Sequence, residues 1–502
     1  MLHLWPDRSA LEGLAKRANT IPVYCQILSD QMTPVTAFQR LAAESPYAFL
    51  LESVIGGEKI ARYSFIGADP ASVFEATGNR TTLTHEGRTT TEDLADPLAR
   101  LEELLGAYRA ACPRELPRFV GGAVGYAGYD AARYYERLPD APPDDRGLPD
   151  IQFGLYDTMV VFDHVQKLIK VVAHAHLERD GLDGGYDDAR RRIERTVETL
   201  QSPPPAGLLS MTPAGTGTAR YTSNYTRSDF ERDVERCREY IRAGDIFQVV
   251  LSQRLGVETP TEPFDIYRAL RVVNPSPFMF FVKSPQVTLV GSSPEILCRV
   301  EDGVVTTRPL AGTRARGRSE AEDRGLEKEL LADPKERAEH VMLVDLGRND
   351  IGRVAEPRSV RLDELMSVER YSHVMHICSN VSGRLAAGKT AFDALRAVLP
   401  VGTVSGAPKI RAMEIIDELE PTRRGPYAGA IGYFDFAGNM DTCIALRTLV
   451  ITEGENGHRR VFAQVGAGIV ADSIPSTEYE ETMNKAQSML RAIEVADSWA
   501  VT

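Results

Sequence analysis

Along the first two hundred residues, apolar positions gather into short β-like runs separated by turn signals. Such runs fall at residues 48–51, 63–66, 158–162 and 168–172, with a helical stretch at 96–109. The second half opens on a helical pattern at 228–243 and continues with strand-like runs at 246–254, 279–282 and 287–290. A helix-rich block follows at 319–354, then strands and helices alternate to residue 493. Turn signals at Glu301-Asp-Gly and Ala437-Gly-Asn point to hairpins, and hence to antiparallel pairing instead of a doubly wound sheet. The pattern as a whole predicts an α+β fold.

Two breaks interrupt it. Residues 138–149 are rich in proline and aspartate, and residues 201–220 carry Pro203-Pro-Pro205 followed by Gly/Thr/Ala-rich sequence, the composition of a linker. The expected division is therefore an N-terminal unit at 1–200, a linker at 201–220 and a C-terminal unit at 221–502.

With 43% apolar and 26% charged residues in 502, the chain has a globular composition, which disfavours the disordered, collagenous and membrane classes. The formal net charge of -13 argues against nucleic acid or an anionic membrane as partner, and it obliges any anionic substrate to find a locally positive pocket. Six scattered cysteines without a C-x-x-C pair fit reduced thiols in a cytoplasmic protein. The first residues mix charged and apolar positions unlike a secretory signal, and no run approaches the roughly 20 apolar residues of a membrane span.

Several motifs carry chemistry, each beside a plainer reading. Residues 383–390, Gly-Arg-Leu-Ala-Ala-Gly-Lys-Thr, match the P-loop pattern. The context opposes it, because the β-like run continues through Leu385 and Asp345, the would-be metal partner, precedes the loop within a helix. Gly466-Ala467-Gly468 follows a strand-like run, where bare backbone N–H groups could meet a carboxylate or phosphate. A tight turn is the plain alternative.

Two helices present glutamates beside their apolar stripes: Glu336 and Glu339 after Pro334, and Glu478 and Glu481 after Ser476. Glu481 and Lys485 could form a surface i,i+4 pair. The sharper reading brings the four carboxylates to one Mg²⁺, a hard ion that prefers oxygen ligands. His373 and His376 fall on opposite faces of a strand-like segment, and Arg447 is a charge within an apolar strand-like run that needs a partner anion.

From residue 229 to 493 the chain resembles the chorismate-utilising enzymes. The resemblance rests on Gly244-Asp-Ile-Phe-Gln-Val-Val-Leu-Ser-Gln-Arg254, Gly291-Ser-Ser-Pro-Glu295, Arg308-Pro-Leu-Ala-Gly-Thr-Arg314, Glu339-His-Val-Met-Leu-Val-Asp-Leu-Gly-Arg-Asn-Asp350, Gly402-Thr-Val-Ser-Gly-Ala-Pro-Lys409 and Gly466-Ala-Gly468. Leu50-Leu-Glu-Ser53 and Arg62-Tyr-Ser-Phe-Ile-Gly67 extend it to the anthranilate synthase component I branch. It implies an antiparallel β-sheet sandwich flanked by helices. It also implies a reaction in which ammonia adds to chorismate at C2 as the C4 hydroxyl leaves, followed by loss of pyruvate.

The resemblance assigns roles residue by residue. Glu295 matches the general acid and His376 the active-site histidine; Gln248 and Thr403 complete the catalytic set. Gln248 stands where water-adding relatives carry an activating lysine, and Ala311 where many aminodeoxychorismate synthases, the nearest alternative, carry a nucleophilic lysine. Magnesium is expected on Glu339 and Glu481, with Glu336 and Glu478 contacting it directly or through water. Gly312, Thr313, Tyr433, Arg447, Gly466, Ala467, Gly468 and Lys485 are expected around chorismate. Leu51, Glu52, Ser53, Asn274, Pro275 and Met279 match segments that bind L-tryptophan as feedback inhibitor. No Gly-x-Cys-x-Gly nucleophile motif is present, so a glutamine amidotransferase subunit is the expected ammonia source, in a heterotetramer.

Overall fold

A computed structural model describes residues 2–53, 62–203, 219–370 and 374–499. The β-like runs become strands of two antiparallel sheets, each of twelve strands among the described residues. Both sheets draw on either side of the 201–220 segment. Ala48–Glu52 pairs with Phe278–Lys283 in the first, and Gly122–Ala127 pairs with Ala430–Asp435 in the second. Ladder hydrogen bonds thus tie the N-terminal unit to the C-terminal one. Residues 204–218 of the expected linker lie outside the described residues, as does His373.

Three apolar layers follow. Phe49, Phe119, Tyr126, Tyr156, Phe280, Leu289 and Val450 fill the space between the sheets. A second core packs the first sheet against helices that include Pro263–Val273 and Pro475–Trp499, and a third packs the other sheet against Ala391–Val398 and Lys409–Leu419. Central strands such as Leu168–His176 are buried on both faces, which explains why they read as nearly unbroken apolar runs. Both predicted hairpins form. Asp302 and Gly303 take left-handed φ values of 50° and 77° between Ile296–Glu301 and Val304–Thr307, as a primed turn requires.

The helix-rich block is two helices, Glu320–Ala332 and Pro334–Gly352. Asp333 ends the first and caps the second by accepting from the N–H groups of Lys335 and Glu336, with proline at the first helical position. The P-loop reading fails on the same kind of local evidence. Gly383 lies inside the strand Val374–Arg384, opposite Val305; Lys389 pairs with Asp393; and Thr390 caps the helix Ala391–Val398. No backbone cradle is left for a phosphate.

Two links where the chain crosses between sheets matter most. Thr288–Ser293 belongs to the first sheet and Ile296–Glu301 to the second, so Pro294 and Glu295 form a two-residue crossing. Met440–Ile444 and Thr448–Glu453 are divided in the same way, leaving residues 445–447 as a second crossing. The links run side by side: Ser292 N–H donates to Arg447 O at 3.2 Å, Ile444 N–H to Glu295 O at 3.0 Å, and Ser293 Oγ to Ile444 O at 2.6 Å.

Candidate active site

Glu295 is buried on its crossing link, and burial pushes its carboxyl up to about 8. No charged side chain opposes that shift; only the Leu310 N–H, 3.4 Å from Oε1, and the Thr403 hydroxyl pull it down. Thr403 sits on the 3-10 turn Gly402–Val404, and its buried Oγ1 completes no well-formed hydrogen bond within the protein. The result is a carboxyl that is protonated near neutral pH and can donate.

Leu310 opens the strand Leu310–Ala315, which also builds the histidine site. A bulge between Ala311 and Thr313 places Gly312 at φ 68°, and the Gly312 carbonyl accepts from His376 Nδ1 at 3.0 Å. A carbonyl can only accept, so the proton sits on Nδ1 and Nε2 is the basic nitrogen. The Thr313 hydroxyl stands 3.1 Å from the same Nδ1. Burial, followed by nearby Arg447 and Lys485, lowers the histidine's proton affinity, while the Gly312 carbonyl and Glu369 oppose them.

Gly466 and Gly468 lie within the strand Arg459–Ile469, where the sequence pattern had placed them after a strand. They face Ser252 and Val250 on Gln248–Thr259. Val250 N–H donates to Ser405 O and Ser252 N–H to Glu420 Oε1, both away from the glycine strand. In an antiparallel ladder this makes Gly468 and Gly466 members of non-hydrogen-bonded pairs, whose own N–H groups turn outward. On that side the neighbouring strand ends its pairing at Leu449 and Ala463, and Lys485 Nζ reaches the Gly466 carbonyl at 2.9 Å. The two amides therefore point into the site. Ala467 differs from the expectation: opposite Leu251, it is locked into the ladder and the apolar core.

The glycines also admit two side chains. A Cβ on Gly466 would lie 2.9 Å from the Tyr427 hydroxyl, and one on Gly468 would lie 2.5 Å from Gln248 Nε2. Gln248 in turn donates to Glu339 Oε1 at 3.4 Å, and its own Oε1 is buried without a partner. Gly468→Ala is therefore expected to displace the Gln248 amide, a flexible side-chain end, at little cost to the melting temperature. Displacements near 1 Å cost about 10²-fold in activity, so a large fall in kcat/KM beside an unchanged melting curve is the expected result.

The four glutamates of the two helices meet electrostatically. Burial, then Glu336 and Glu481, raises the Glu339 carboxyl; burial, opposed by Ser473 and followed by Glu481, raises that of Glu478. Glu336 is held by Arg314 at 2.9 Å and Glu481 by Lys485 at 2.7 Å, so the i,i+4 surface pair also forms. Among the described residues no group of three His, Cys, Asp or Glu side chains makes a ready cage for a metal. Crowded all-oxygen donors beside an orphaned amide oxygen fit a hard divalent ion whose remaining shell comes from substrate and water.

Other expected contacts move. Arg447 lies on the second crossing link, not within a strand, at a left-handed φ of 48°, and its charge bears on His376. Tyr433 is absent from the group around Gly466. It stacks on Phe119 at 3.8 Å between ring centres, in a separate cavity of about 640 Å³ between the sheets. The nearer tyrosine is Tyr427, which the sequence reading missed.

That second cavity is lined by Leu51, Glu52, Ser53 and Met279. Ser53 Oγ is buried without a partner there. The Glu52 carboxylate is already engaged by the Tyr267 hydroxyl at 2.6 Å and Arg271 at 2.8 Å, which leaves it little capacity for a ligand's amine. Asn274 Nδ2 donates to Ser292 Oγ at 3.3 Å, and neither Asn274 nor Pro275 lines the cavity.

Known proteins resemble the chain over nearly its whole length. A family described as chorismate binding enzyme matches residues 46–491. Anthranilate synthase component 1 of Acetivibrio thermocellus is 49% identical over 98% of this chain and 99% of that protein, and the Pseudomonas putida protein of the same name is 50% identical over 95% and 96%. The crystal structure of anthranilate synthase component I from Streptococcus pneumoniae TIGR4 superposes with a TM-score of 0.76 at 40% identity, covering 92% of this chain and 99% of that one. The menaquinone-specific isochorismate synthase of Escherichia coli, at 20% identity and a TM-score of 0.67, shares the fold over 97% of this chain and 99% of its own. The chain belongs to the chorismate-binding enzymes and, among them, to the anthranilate synthase component 1 proteins.

Proposed function

We propose that the protein converts chorismate and ammonia to anthranilate, pyruvate and water. The observation that carries this reading is Glu295, buried with no opposing charge so that its carboxyl is pushed up to about 8, in a chain where Gln248, which cannot activate water as a base, stands at the position of the water-adding relatives' lysine. Glu295 gives its proton to the C4 hydroxyl, which leaves as water while ammonia forms the C2–N bond. His376 Nε2, the basic nitrogen of its ring, takes a proton as the substrate ring becomes aromatic and the enolpyruvyl group leaves as pyruvate.

Arg447, Lys485 and the outward amides of Gly466 and Gly468 supply the positive pocket that a dianion needs in a chain of net charge -13. Glu339 and Glu481 would hold Mg²⁺, with Glu336 and Glu478 beside them. The bound ion would neutralise the ring carboxylate.

Ammonia comes from a glutaminase subunit. Burial raises five of the six thiols, Cys25 to about 11, and the exposed Cys112 is raised by partial desolvation and nearby Asp435 and Asp302, so the thiolate that glutamine hydrolysis needs is disfavoured at all six. L-Tryptophan occupies the cavity between the sheets, its indole against Met279 and its polar end at Ser53. Pro294, Ile296 and Leu310, which surround Glu295, line the same cavity, so its occupant bears on the acid.

The test is product fluorescence from chorismate, Mg²⁺ and ammonium, with and without tryptophan. Anthranilate emission supports the proposal and its absence under saturating conditions refutes it. Ser53→Phe is expected to abolish inhibition by tryptophan; undiminished inhibition would remove tryptophan from this cavity.

A further inference from the structure

Behind the site lies an ion pair that the reaction does not use. Arg424 is 1% exposed, and its partner Glu420 is buried with it at 2.6 Å. Taking both charges out of water makes such a pair a poor source of stability; replacement by apolar groups is often neutral or better. Its value here lies in what it grips.

Arg424 Nη1 donates to Val404 O at 2.7 Å, on the turn that carries Thr403. Nη2 donates to Val250 O at 2.7 Å, on the strand that begins with Gln248. The guanidinium also lies 5.6 Å from the centre of the Tyr427 ring, whose hydroxyl faces Gly466. Glu420 Oε1 accepts from both N–H and Oγ of Ser252 at 2.8 Å, directly opposite Gly466. Gln464 Nε2 then donates to Ser252 Oγ at 2.9 Å. One buried pair thus fastens three separately folded pieces of the site: the Thr403 turn, the Gln248 strand and Tyr427.

We propose that Arg424 and Glu420 are positioning residues which set Thr403 against Glu295 and Gln248 against Glu339, without touching substrate. This rests on the proposed reaction. The planar fork of Arg424 reaches two carbonyls and a carboxylate at once, which a lysine ammonium on a flexible stem does less well. If the pair positions the site, removing it should damage turnover more than folding or substrate affinity.

The decisive variant is Arg424→Met combined with Glu420→Gln, which removes both charges yet keeps an amide oxygen for Ser252. Arg424→Lys is the conservative companion. We expect the double variant to melt within a few degrees of the parent, and its kcat to fall by about 10²-fold, as small displacements do. KM for chorismate should change far less, and Arg424→Lys should recover part of the rate. With Thr403 released from Glu295, the alkaline limb of kcat should also move to higher pH. A folded double variant with parental kcat and an unmoved limb overturns the inference, as does a loss of activity that only tracks the folded fraction. An inactive parent overturns the proposed reaction and this inference together, whereas an active parent with unaffected variants overturns the inference alone.

Discussion

Glu295→Gln should nearly silence the enzyme while leaving it folded. The amide keeps the shape of a group buried among neutral neighbours but has no acidic proton to deliver. General acids contribute about 10²–10⁴-fold, and a departing hydroxyl belongs at the upper end of that range. The pH dependence of the parent gives an independent reading. Burial raises this carboxyl to about 8, so the donor form is full below that pH and is lost above it. The kcat profile, taken at fixed concentration of free ammonia, should therefore fall on its alkaline side near pH 8, and the Glu295→Gln residual rate should lack that limb. A variant with parental turnover would dismiss Glu295 as the acid.

Glu339→Gln should come close to the same loss by another route. Glu339 stands where Gln248, Glu336 and Glu481 converge, so neutralising it removes anionic oxygen from the proposed magnesium position while leaving the helix Pro334–Gly352 intact. Metal stabilisation of developing charge is worth several kcal/mol, hence about 10²–10⁴-fold in rate. The Mg²⁺ concentration giving half-maximal rate should rise, and magnesium binding measured by calorimetry in the presence of chorismate should weaken with it. Glu480→Gln is the control, because Glu480 lies on the outer face in a pair with Arg227. Equal losses in the two variants would dissolve the metal assignment.

Much of this architecture is written in local pattern. Strand runs, both hairpins and the Asp333 cap depend on residues close in sequence, and the structure follows them. What escaped the sequence depends on distant neighbours. Arg447 sits in a run of apolar residues that reads as one strand, and nothing local announces that the chain changes sheets there at a left-handed angle that only tertiary packing enforces. The glycine pair was visible, but its free edge exists because another strand stops pairing at Leu449. Glu52 looked available because its partners, Tyr267 and Arg271, lie more than two hundred residues away. Tyr427 and Tyr433 were indistinguishable by spacing; the small residues Ala428 and Gly429 beside Tyr427 were the nearest hint of close packing. His376 and Glu295 became legible only through the resemblance, since a lone histidine or acid carries no signature of burial.

The neighbouring crossings that bear Glu295 and Arg447 form a seam, and the proposed proton donor and the proposed anion clamp are stitched to each other across it. A small molecule that wedged the two layers apart along this seam would pull both back in one stroke. Under the proposed reaction, holding the substrate and cleaving it would in this way be geared to a single mechanical coordinate, the spacing of the sandwich itself.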